Sequence, residues 1–285
     1  MIRISRRMGG LVAVPFVAGL VMGVQSPASA GAAPECGGLP ATITARPGEP
    51  VVGTVNRDTI VGTPGDDVIH TGARPDVVCG RGGDDRIFSG GGADTVYGGP
   101  GADLIVGGLN HDHLRGGRGD DVIRGGEHMD RLYGNAGDDR LFGGPTGDLL
   151  SGGPGQDHSW GGADTDRFIL NGDGDSVSGD APDGFDRVTY RYPSRPADGP
   201  VTVDLAAGVG GLTGSVTVDH ITGVSEVRGT AFADLLLGDD GPNLLIAEAG
   251  DDVMDGRGGE DTLFAGDGTD TCLNGERRVS CENAS

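Results

Sequence analysis

Residues 89–108 read SGGGADTVYGGPGADLIVGG, and within this stretch an aspartate follows a run of small residues every nine positions, at Asp94 and Asp103. An aliphatic residue stands two positions after each aspartate, Val96 and Ile105 respectively. The stretch is too rich in glycine for a helix, since glycine costs about 1 kcal/mol per interior helical position relative to alanine. It is also too regular for a flexible linker, so the rest of the chain decides whether it is ordered.

The nine-residue unit extends without gap or insertion over residues 53–169, giving thirteen nonapeptides, and five more units occupy residues 229–273. The eighth position is apolar in every unit of the first block except one, where Ser159 stands. The sixth position is aspartate in every unit except one, which has Asn243. These sixth-position aspartates are Asp58, Asp67, Asp76, Asp85, Asp94, Asp103, Asp112, Asp121, Asp130, Asp139, Asp148, Asp157, Asp166, Asp234, Asp252, Asp261 and Asp270.

The physical chemistry of one unit predicts a strand and a turn. Three residues centred on the eighth position alternate their faces, so the middle side chain points inward from a short strand. The six preceding residues form a turn, in which glycine supplies positive φ and permits close approach of the backbone. One unit cannot bury its single aliphatic residue, whereas stacked units bury a continuous column. The repeat therefore predicts an all-β solenoid with one carboxylate at each turn.

The unit resembles GGxGxDxUx, the calcium-binding nonapeptide of the hemolysin-type or RTX family. The resemblance covers about residues 53–169 and 229–273. It implies a right-handed parallel β-roll with two nonapeptides per turn and multiple calcium ions between the loops of stacked turns. Backbone carbonyls and the sixth-position aspartates named above are the implied ligands, and the repeat itself implies no catalytic residue.

The fourth position of the first block gives an independent indication of two units per turn. Even-numbered units have only glycine there, at Gly65, Gly83, Gly101, Gly119, Gly137 and Gly155. Odd-numbered units vary, with Asn56, Arg74, Gly92, Asn110, His128, Thr146 and Asp164. The true period is therefore eighteen residues. We expect near-consensus calcium sites, which include these glycines, along the edge formed by the even loops (the even edge), and degraded sites along the other (the odd edge). Asn and Asp tolerate positive φ, so Asn56, Asn110 and Asp164 are expected to serve better than Arg74, His128 and Thr146.

The charge of the chain favours metal cations as partners. The 285 residues carry a formal net charge of −22, and all 21 basic residues are Arg. A surface with so little concentrated positive charge argues against a nucleic-acid partner. Carboxylates of neighbouring turns, about 4.8 Å apart, repel by about 0.9 kcal/mol in water and about 3.5 kcal/mol at an effective dielectric constant of 20. We therefore expect calcium to be required for folding.

The first thirty residues predict export. Residues 1–30 combine three early arginines, an apolar run and Ala-Ser-Ala, the layout of a secretory signal peptide. A membrane anchor is the alternative, but the run is short and interrupted by Pro15, and no later run is long enough to span a membrane. Ser5-Arg6-Arg7 is a weak twin-arginine signal, so the export route stays open between the general secretory and twin-arginine pathways.

Four cysteines, Cys36, Cys79, Cys272 and Cys281, remain in the exported part. An even number of cysteines outside the cell favours disulfides, and three pairings are possible. Proximity favours Cys272–Cys281, which leaves Cys36–Cys79. We interpret residues 31–52 as an N-terminal cap and residues 274–285 as a C-terminal cap, each tied down by one bridge.

Two segments do not follow the pattern of the repeats. Residues 170–228 are expected to be an irregular β spacer that continues the solenoid with larger loops. An EF-hand within it is disfavoured, because Ser176 and Pro182 occupy the positions that need Gly and Glu. His111, His113 and His128 fall on or near the odd edge and raise the possibility of a transition-metal site, although solvated loop positions explain them as well.

The sequence predicts a secreted, extracellular, non-enzymatic protein that folds on binding several calcium ions. It has no HExxH or GxSxG motif, and a chain without lysine cannot form a P-loop. An alternative function is calcium-dependent adhesion to a cell-surface glycan or protein. Outward aromatic residues would serve it, although such ladders more often stabilise neighbouring strands; they are Phe88, Phe142, Trp160, Tyr97 and Tyr133. A third possibility, an accessory part of a secreted RTX hydrolase or toxin, would require a catalytic domain.

Overall fold

The computed structural model describes residues 34–179, 185–190, 199–281 and 283–284. The predicted signal peptide, residues 1–30, lies outside these described residues. All regular secondary structure within them is β. These residues contain no helix with the length and apolar character needed to cross a membrane. The all-β expectation from the repeat is confirmed.

Two sheets contain nearly all the strands of the described chain. The larger holds fifteen strands, in spatial order β4 Val51–Val52, β6 Val68–Gly72, β8 Arg86–Gly91, β10 Leu104–Leu109, β12 Val122–Glu127, β14 Arg140–Pro145, β16 His158–Ala163, β18 Ser176–Ser178, β22 Asp219–Thr222, β21 Val209–Leu212, β20 Val201–Asp204, β24 Leu235–Leu237, β26 Val253–Asp255, β28 Thr271–Leu273 and β30 Asn283–Ala284. The smaller holds thirteen, in spatial order β3 Ile43–Thr44, β5 Thr59–Val61, β7 Val77–Cys79, β9 Thr95–Pro100, β11 His113–Arg118, β13 Arg131–Ala136, β15 Leu149–Ser151, β17 Arg167–Leu170, β19 Arg187–Tyr190, β23 Glu226–Arg228, β25 Leu244–Ile246, β27 Thr262–Phe264 and β29 Arg277–Val279.

The pairing register has the period of eighteen residues that the fourth position predicts. In the larger sheet β8 pairs in parallel with β10, so that Ile87 lies opposite Ile105. In the smaller sheet β9 pairs in parallel with β11, so that Val96 lies opposite Leu114. Consecutive units therefore alternate between the two sheets, and two nonapeptides complete one turn of a parallel β-roll.

The core is a single column of eighth-position side chains between the sheets. Its members in the first block are almost completely buried: Ile60, Ile69, Val78, Ile87, Val96, Ile105, Leu114, Ile123, Leu132, Leu141, Leu150 and Phe168. Ser159, the polar exception, is also buried. Because each turn contributes only two such residues, the hydrophobic interior is thin.

The roll continues through residues 170–228, with larger loops and one change of direction. The eighteen-residue register persists nine residues beyond Ile169, since β18 places Ser176 opposite His158. The strands β22, β21 and β20 then form an antiparallel meander within the larger sheet, before β20 resumes parallel pairing with β24. The smaller sheet passes uninterrupted from β17 through β19 and β23 to β25. The break in register therefore comes later than the sequence pattern indicated.

Both ends are tied down by disulfides in the pairing favoured by proximity, Cys36–Cys79 and Cys272–Cys281. The hairpin of β1 (Glu35–Cys36) and β2 (Leu39–Pro40) packs Cys36 with Val61 and Val77. The strands β3 and β4 add a turn to the roll ahead of the first nonapeptide. Closing the 43-residue separation between Cys36 and Cys79 contributes about 4 kcal/mol by the chain-entropy estimate.

Candidate metal centre

The sixth-position aspartates form two hydrogen-bonded columns, one along each edge of the roll. Each is buried. In the first block, from Asp76 to Asp166, its Oδ1 accepts a hydrogen bond of 2.7–2.8 Å from the backbone N–H of the aspartate one turn earlier. The same bond joins Asp234 to Asp252 and Asn243 to Asp261 in the second block. Folding thus stacks like charges on top of one another.

The second carboxylate oxygen, Oδ2, lies against the glycine that begins its own unit. A Cβ added to Gly116 would stand 2.0 Å from Oδ2 of Asp121, and one added to Gly98 would stand 2.2 Å from Oδ2 of Asp103. This contact explains why the first position is so often glycine. In twelve of these aspartates Oδ2 is buried and has no hydrogen-bond partner within the described residues: Asp76, Asp85, Asp94, Asp103, Asp112, Asp121, Asp130, Asp139, Asp148, Asp157, Asp252 and Asp261. Buried polar atoms are normally satisfied, so these oxygens fit a bound cation.

Backbone carbonyls complete the set of oxygen atoms on the even edge. A Cβ added to Gly101 would lie 2.0 Å from the carbonyl oxygen of Gly83, and one added to Gly119 would lie 2.3 Å from that of Gly101. The carbonyl oxygens therefore point along the stack, into the interval between successive turns. Carboxylates and carbonyls are the hard oxygen ligands that Ca²⁺ takes. The described chain has no group of three or more His, Cys, Asp or Glu side chains suited to a metal, so calcium here would depend on carbonyls.

A family model for the RTX calcium-binding nonapeptide repeat matches overlapping segments that together span residues 52–177 and 228–272. The matched residues make up more than half of the chain. The chain belongs to this RTX repeat family. RTX nonapeptide repeats bind multiple Ca²⁺ ions, and proteins that carry them are typically secreted. No curated protein shows a significant match to the chain.

The two edges of the RTX roll use different turn conformations at the fourth position. On the even edge, Gly83, Gly101, Gly119, Gly137 and Gly155 have φ between 102° and 144°, a region that other residues rarely adopt. On the odd edge Gly92 shares this conformation (123°), whereas four residues lie in the left-handed helical region: Asn110 (75°), His128 (77°), Thr146 (84°) and Asp164 (69°). This difference explains why glycine recurs at every second unit.

The backbone conformations of the odd-edge residues agree only in part with their expected tolerance for positive φ, and their ability to bind calcium stays a prediction. Asn110 and Asp164 adopt positive φ as expected, but Asn56 does not. His128 and Thr146, which were expected to be poorer, adopt it as well. Stacking between the flanking turns therefore overrides the local preference of these two residues, at an energetic cost of about 1–2 kcal/mol for a left-handed residue with a Cβ.

Replacing Thr146 with glycine is expected to stabilise the RTX roll. Thr146 is β-branched at φ 84°, and its buried Oγ1 has no hydrogen-bond partner within the described residues. Thr146→Gly relieves both costs, and we expect the free energy of unfolding in calcium to rise by about 1 kcal/mol. Urea denaturation followed by circular dichroism measures it. Asn110→Gly is the matched control and should change stability by less, because Asn tolerates this conformation; equal effects would refute the explanation.

Several carboxylates of the roll escaped the sequence interpretation. On the even edge Asp66, Asp84, Asp120 and Asp138 stand at the fifth position, where each accepts a backbone hydrogen bond of 2.8–2.9 Å from the next turn. The signal that could have revealed them is the Asp-Asp pair found in even units. Two further column members that were missed, Asp175 and Asp219, lie in the spacer and receive hydrogen bonds from Asp157 and Asp175 respectively. Asp186, around which the sequence indicates one repeat-like turn, receives the equivalent bond from Asp166.

The columns are electrostatically costly when they are ionised. Burial raises the pKa of Asp85 and of Asp94 to about 7, and that of Asp112 and of Asp121 to about 8, against a partial lowering by the backbone hydrogen bonds. Repulsion from neighbouring aspartates in the column contributes to the raised pKa values of Asp85, Asp112 and Asp121. Ionising these buried carboxylates is therefore unfavourable at neutral pH, and protons or metal ions bound in the columns would reduce this cost.

The structure does not bring the three odd-edge histidines together. The rings of His111 and His128 lie 5.8 Å apart, and Nδ1 of His111 is 2.8 Å from the carbonyl oxygen of Met129. His113 instead lies on the outer face of the smaller sheet, 5.3 Å from the ring of Tyr133. A transition-metal site that uses all three histidines is therefore not formed.

The outward aromatic residues stack on one another along the RTX roll. His70 stacks on Phe88 at 4.8 Å, and Phe142 stacks on Trp160 at 4.6 Å, with nearly parallel rings in both pairs. These distances are close to the spacing between neighbouring strands. In each pair, one ring therefore covers the facing side of the other. This arrangement favours strand stabilisation over stacking on the sugar rings of a ligand.

Proposed function

We propose that the chain is an exported, non-catalytic protein whose activity is calcium-dependent folding of its RTX roll. The observation that carries this proposal is the pair of buried aspartate columns, in which twelve sixth-position Oδ2 atoms have no hydrogen-bond partner within the described residues. Calcium bound between turns would satisfy these oxygens and cancel the repulsion along each column. The sixth-position aspartates of both blocks are the proposed ligands, together with loop carbonyls that include those of Gly65, Gly83, Gly101, Gly119, Gly137 and Gly155.

The absence of catalysis is supported by how the side chains are used. Most buried polar residues of the described chain belong to the aspartate columns. A surface cavity of about 560 Å³ lies beside the spacer and is lined mainly by aliphatic and glycine residues, with Asp239 as its titratable group. Ser225 also lines the cavity, but its Oγ has no hydrogen-bond partner within the described residues, whereas an activated nucleophile would be hydrogen-bonded to a base. The two disulfides support an extracellular location.

Calorimetric titration of the metal-free chain with calcium tests the proposal. We expect several ions to bind per chain, with much weaker binding of Mg²⁺, which demands octahedral geometry and gives up its waters reluctantly. Asp103→Asn/Asp121→Asn removes two neighbouring charges of the even column and should weaken the affected sites at least about tenfold, because charge-assisted contacts are lost.

Glu49→Gln/Glu127→Gln removes the same total charge from exposed positions outside the columns and serves as the control. We expect this control to bind calcium as the unchanged chain does. An equal loss in both variants would show that only overall charge matters. A chain that binds no calcium at all would end the proposal.

A further inference from the structure

Positive charge is concentrated on the outer faces of the two sheets, although the chain as a whole is strongly acidic. In the first block the seventh and ninth positions point outward, on either side of the buried eighth position. None of these positions in the thirteen units is Asp or Glu. Six are arginine: Arg86, Arg115, Arg124, Arg131, Arg140 and Arg167. The acidic residues occupy the loops, so the roll has acidic edges and basic faces.

These six arginines take no part in the ion pairs of the described chain. Those pairs are Arg187–Glu226, Arg228–Glu248 and Arg257–Asp204, all at or beyond the spacer. The chain has 43 acidic residues and 21 arginines, so charge pairing within the fold would be easy to arrange. The guanidinium groups on the faces therefore keep their hydrogen-bonding capacity for a partner outside the chain.

One compact group of positive charge lies on the smaller sheet. Arg115 is placed between the rings of Tyr97 and Tyr133, at 5.4 and 5.6 Å from their centroids. On the neighbouring strand Arg131 stands directly opposite His113, which makes Arg115 and Arg131 diagonal neighbours about 7–8 Å apart at their Cα atoms. We call His113, Arg115 and Arg131 the basic cluster.

Two features prepare the basic cluster for an anion. The flanking tyrosine rings restrict the guanidinium of Arg115, so less conformational entropy is lost when it forms hydrogen bonds. Nε2 of His113 is buried and lacks a hydrogen-bond partner within the described residues.

We propose that the basic cluster binds the acid groups of a carboxylated polysaccharide lying across the smaller sheet. Arginine pairs with carboxylates through two parallel hydrogen bonds, and the flat outer face of a sheet suits an extended polymer. Single-stranded nucleic acids rely on stacking between bases and exposed ring faces, whereas the faces of Tyr97 and Tyr133 that meet Arg115 are covered. The dense phosphates of a nucleic acid would also be repelled more strongly by the acidic edges.

Binding of hyaluronate oligosaccharides to the full exported chain in saturating calcium tests this proposal. Arg115→Gln/Arg131→Gln should weaken binding at least about tenfold, since hydrogen bonds to charged groups are lost. Arg46→Gln/Arg57→Gln removes the same charge from exposed loop positions outside both sheets and should bind nearly as well as the unchanged chain. Arg115→Lys keeps the charge but loses the planar fork, so an intermediate loss is expected.

Circular dichroism in calcium shows whether each variant is folded, and so separates a failure of this proposal from a failure of calcium-dependent folding. Calcium-folded chain that does not bind hyaluronate would overturn the assignment. Equal weakening in the cluster and control variants would overturn it too, because only net charge would then matter. Tighter binding of a single-stranded DNA oligonucleotide of equal charge would assign the cluster to nucleic acid instead.

Discussion

Metal-free chain at neutral pH is expected to lose the β-sheet signal of its far-UV circular dichroism spectrum, and millimolar calcium is expected to restore it. The reason is the balance between the conformational entropy lost and the hydrophobic free energy gained when one nonapeptide folds. Ordering the backbone costs about 1–2 kcal/mol per residue, whereas burying one aliphatic side chain contributes about 1.5–3 kcal/mol. Hydrogen bonds between turns and the disulfides add to stability, but the repulsion along two ionised columns acts against them at every turn.

Calcium would change this free-energy balance in the spaces between successive turns, where the carboxylates repel one another. An ion between two turns would convert the repulsion of stacked carboxylates into attraction and satisfy Oδ2 atoms such as those of Asp103 and Asp121, which have no hydrogen-bond partner within the described residues. Since the unfolded chain has no preformed sites, the free energy of binding becomes free energy of folding. The hydrodynamic radius should therefore decrease together with the recovery of the β signal.

Two controls separate specific binding from charge screening. Sodium chloride at the ionic strength of the calcium solution screens the carboxylates without bridging them, and magnesium tests the coordination geometry. Neither should restore the full β signal. A chelated chain that keeps both the spectrum and the compactness of the calcium-loaded chain would contradict the expected requirement for metal.

The repeat architecture could be predicted from the sequence because every level of the pattern agrees. The eighth-position residue Ile105 predicts the buried centre of a strand, and the sixth-position residue Asp103 predicts a loop. The strict nine-residue spacing predicts the register between turns. The alternation at the fourth position also indicates two units per turn. Local sequence suffices here because each unit contacts mainly the units one turn before and after it.

The spacer and the details of the site could not be predicted in the same way. Asp219 continues the even column after Asp175 although 44 residues separate them, so its role depends on long-range pairing of β18 with β22. The sequence marks the glycines of the even edge but does not say that Thr146 accepts a left-handed conformation. The outward direction of His113 likewise depends on its place in β11 rather than on its neighbours in sequence.

Acidification is expected to replace calcium in part, so that metal-free chain gains β structure as the pH falls. Burial raises the pKa of Asp85 and of Asp94 to about 7 and that of Asp112 and of Asp121 to about 8, compared with about 3.9 in an unfolded chain. A folded-state pKa above the unfolded one means that the folded state binds more protons. The stabilisation from protonation is therefore complete below about pH 4 and is lost as the pH rises through about 7 to 8.

The measurement uses chain freed of metal on a chelating resin, because soluble chelators lose their affinity for calcium in acid. The β signal should rise steadily from about pH 8 to about pH 5, the window between the folded and unfolded pKa values. Asp112→Asn/Asp121→Asn imitates the protonated carboxyls and should shift the rise to higher pH. An amide fits this position, since the backbone N–H of Asn243 donates the column hydrogen bond to Oδ1 of Asp261 and its own Oδ1 accepts one from the backbone N–H of Asp239 in the same unit, both at 2.8 Å.

Calcium-saturated chain should show the opposite trend, because protons compete with calcium for the same carboxylates. Its stability is expected to fall as the pH drops through the range in which metal-free chain gains structure, so that the two curves converge in acid. The convergence follows only if one set of carboxylates both binds the metal and carries the raised pKa values. Two curves that run parallel across this range would mean that calcium binds elsewhere, and that the buried columns are not the site.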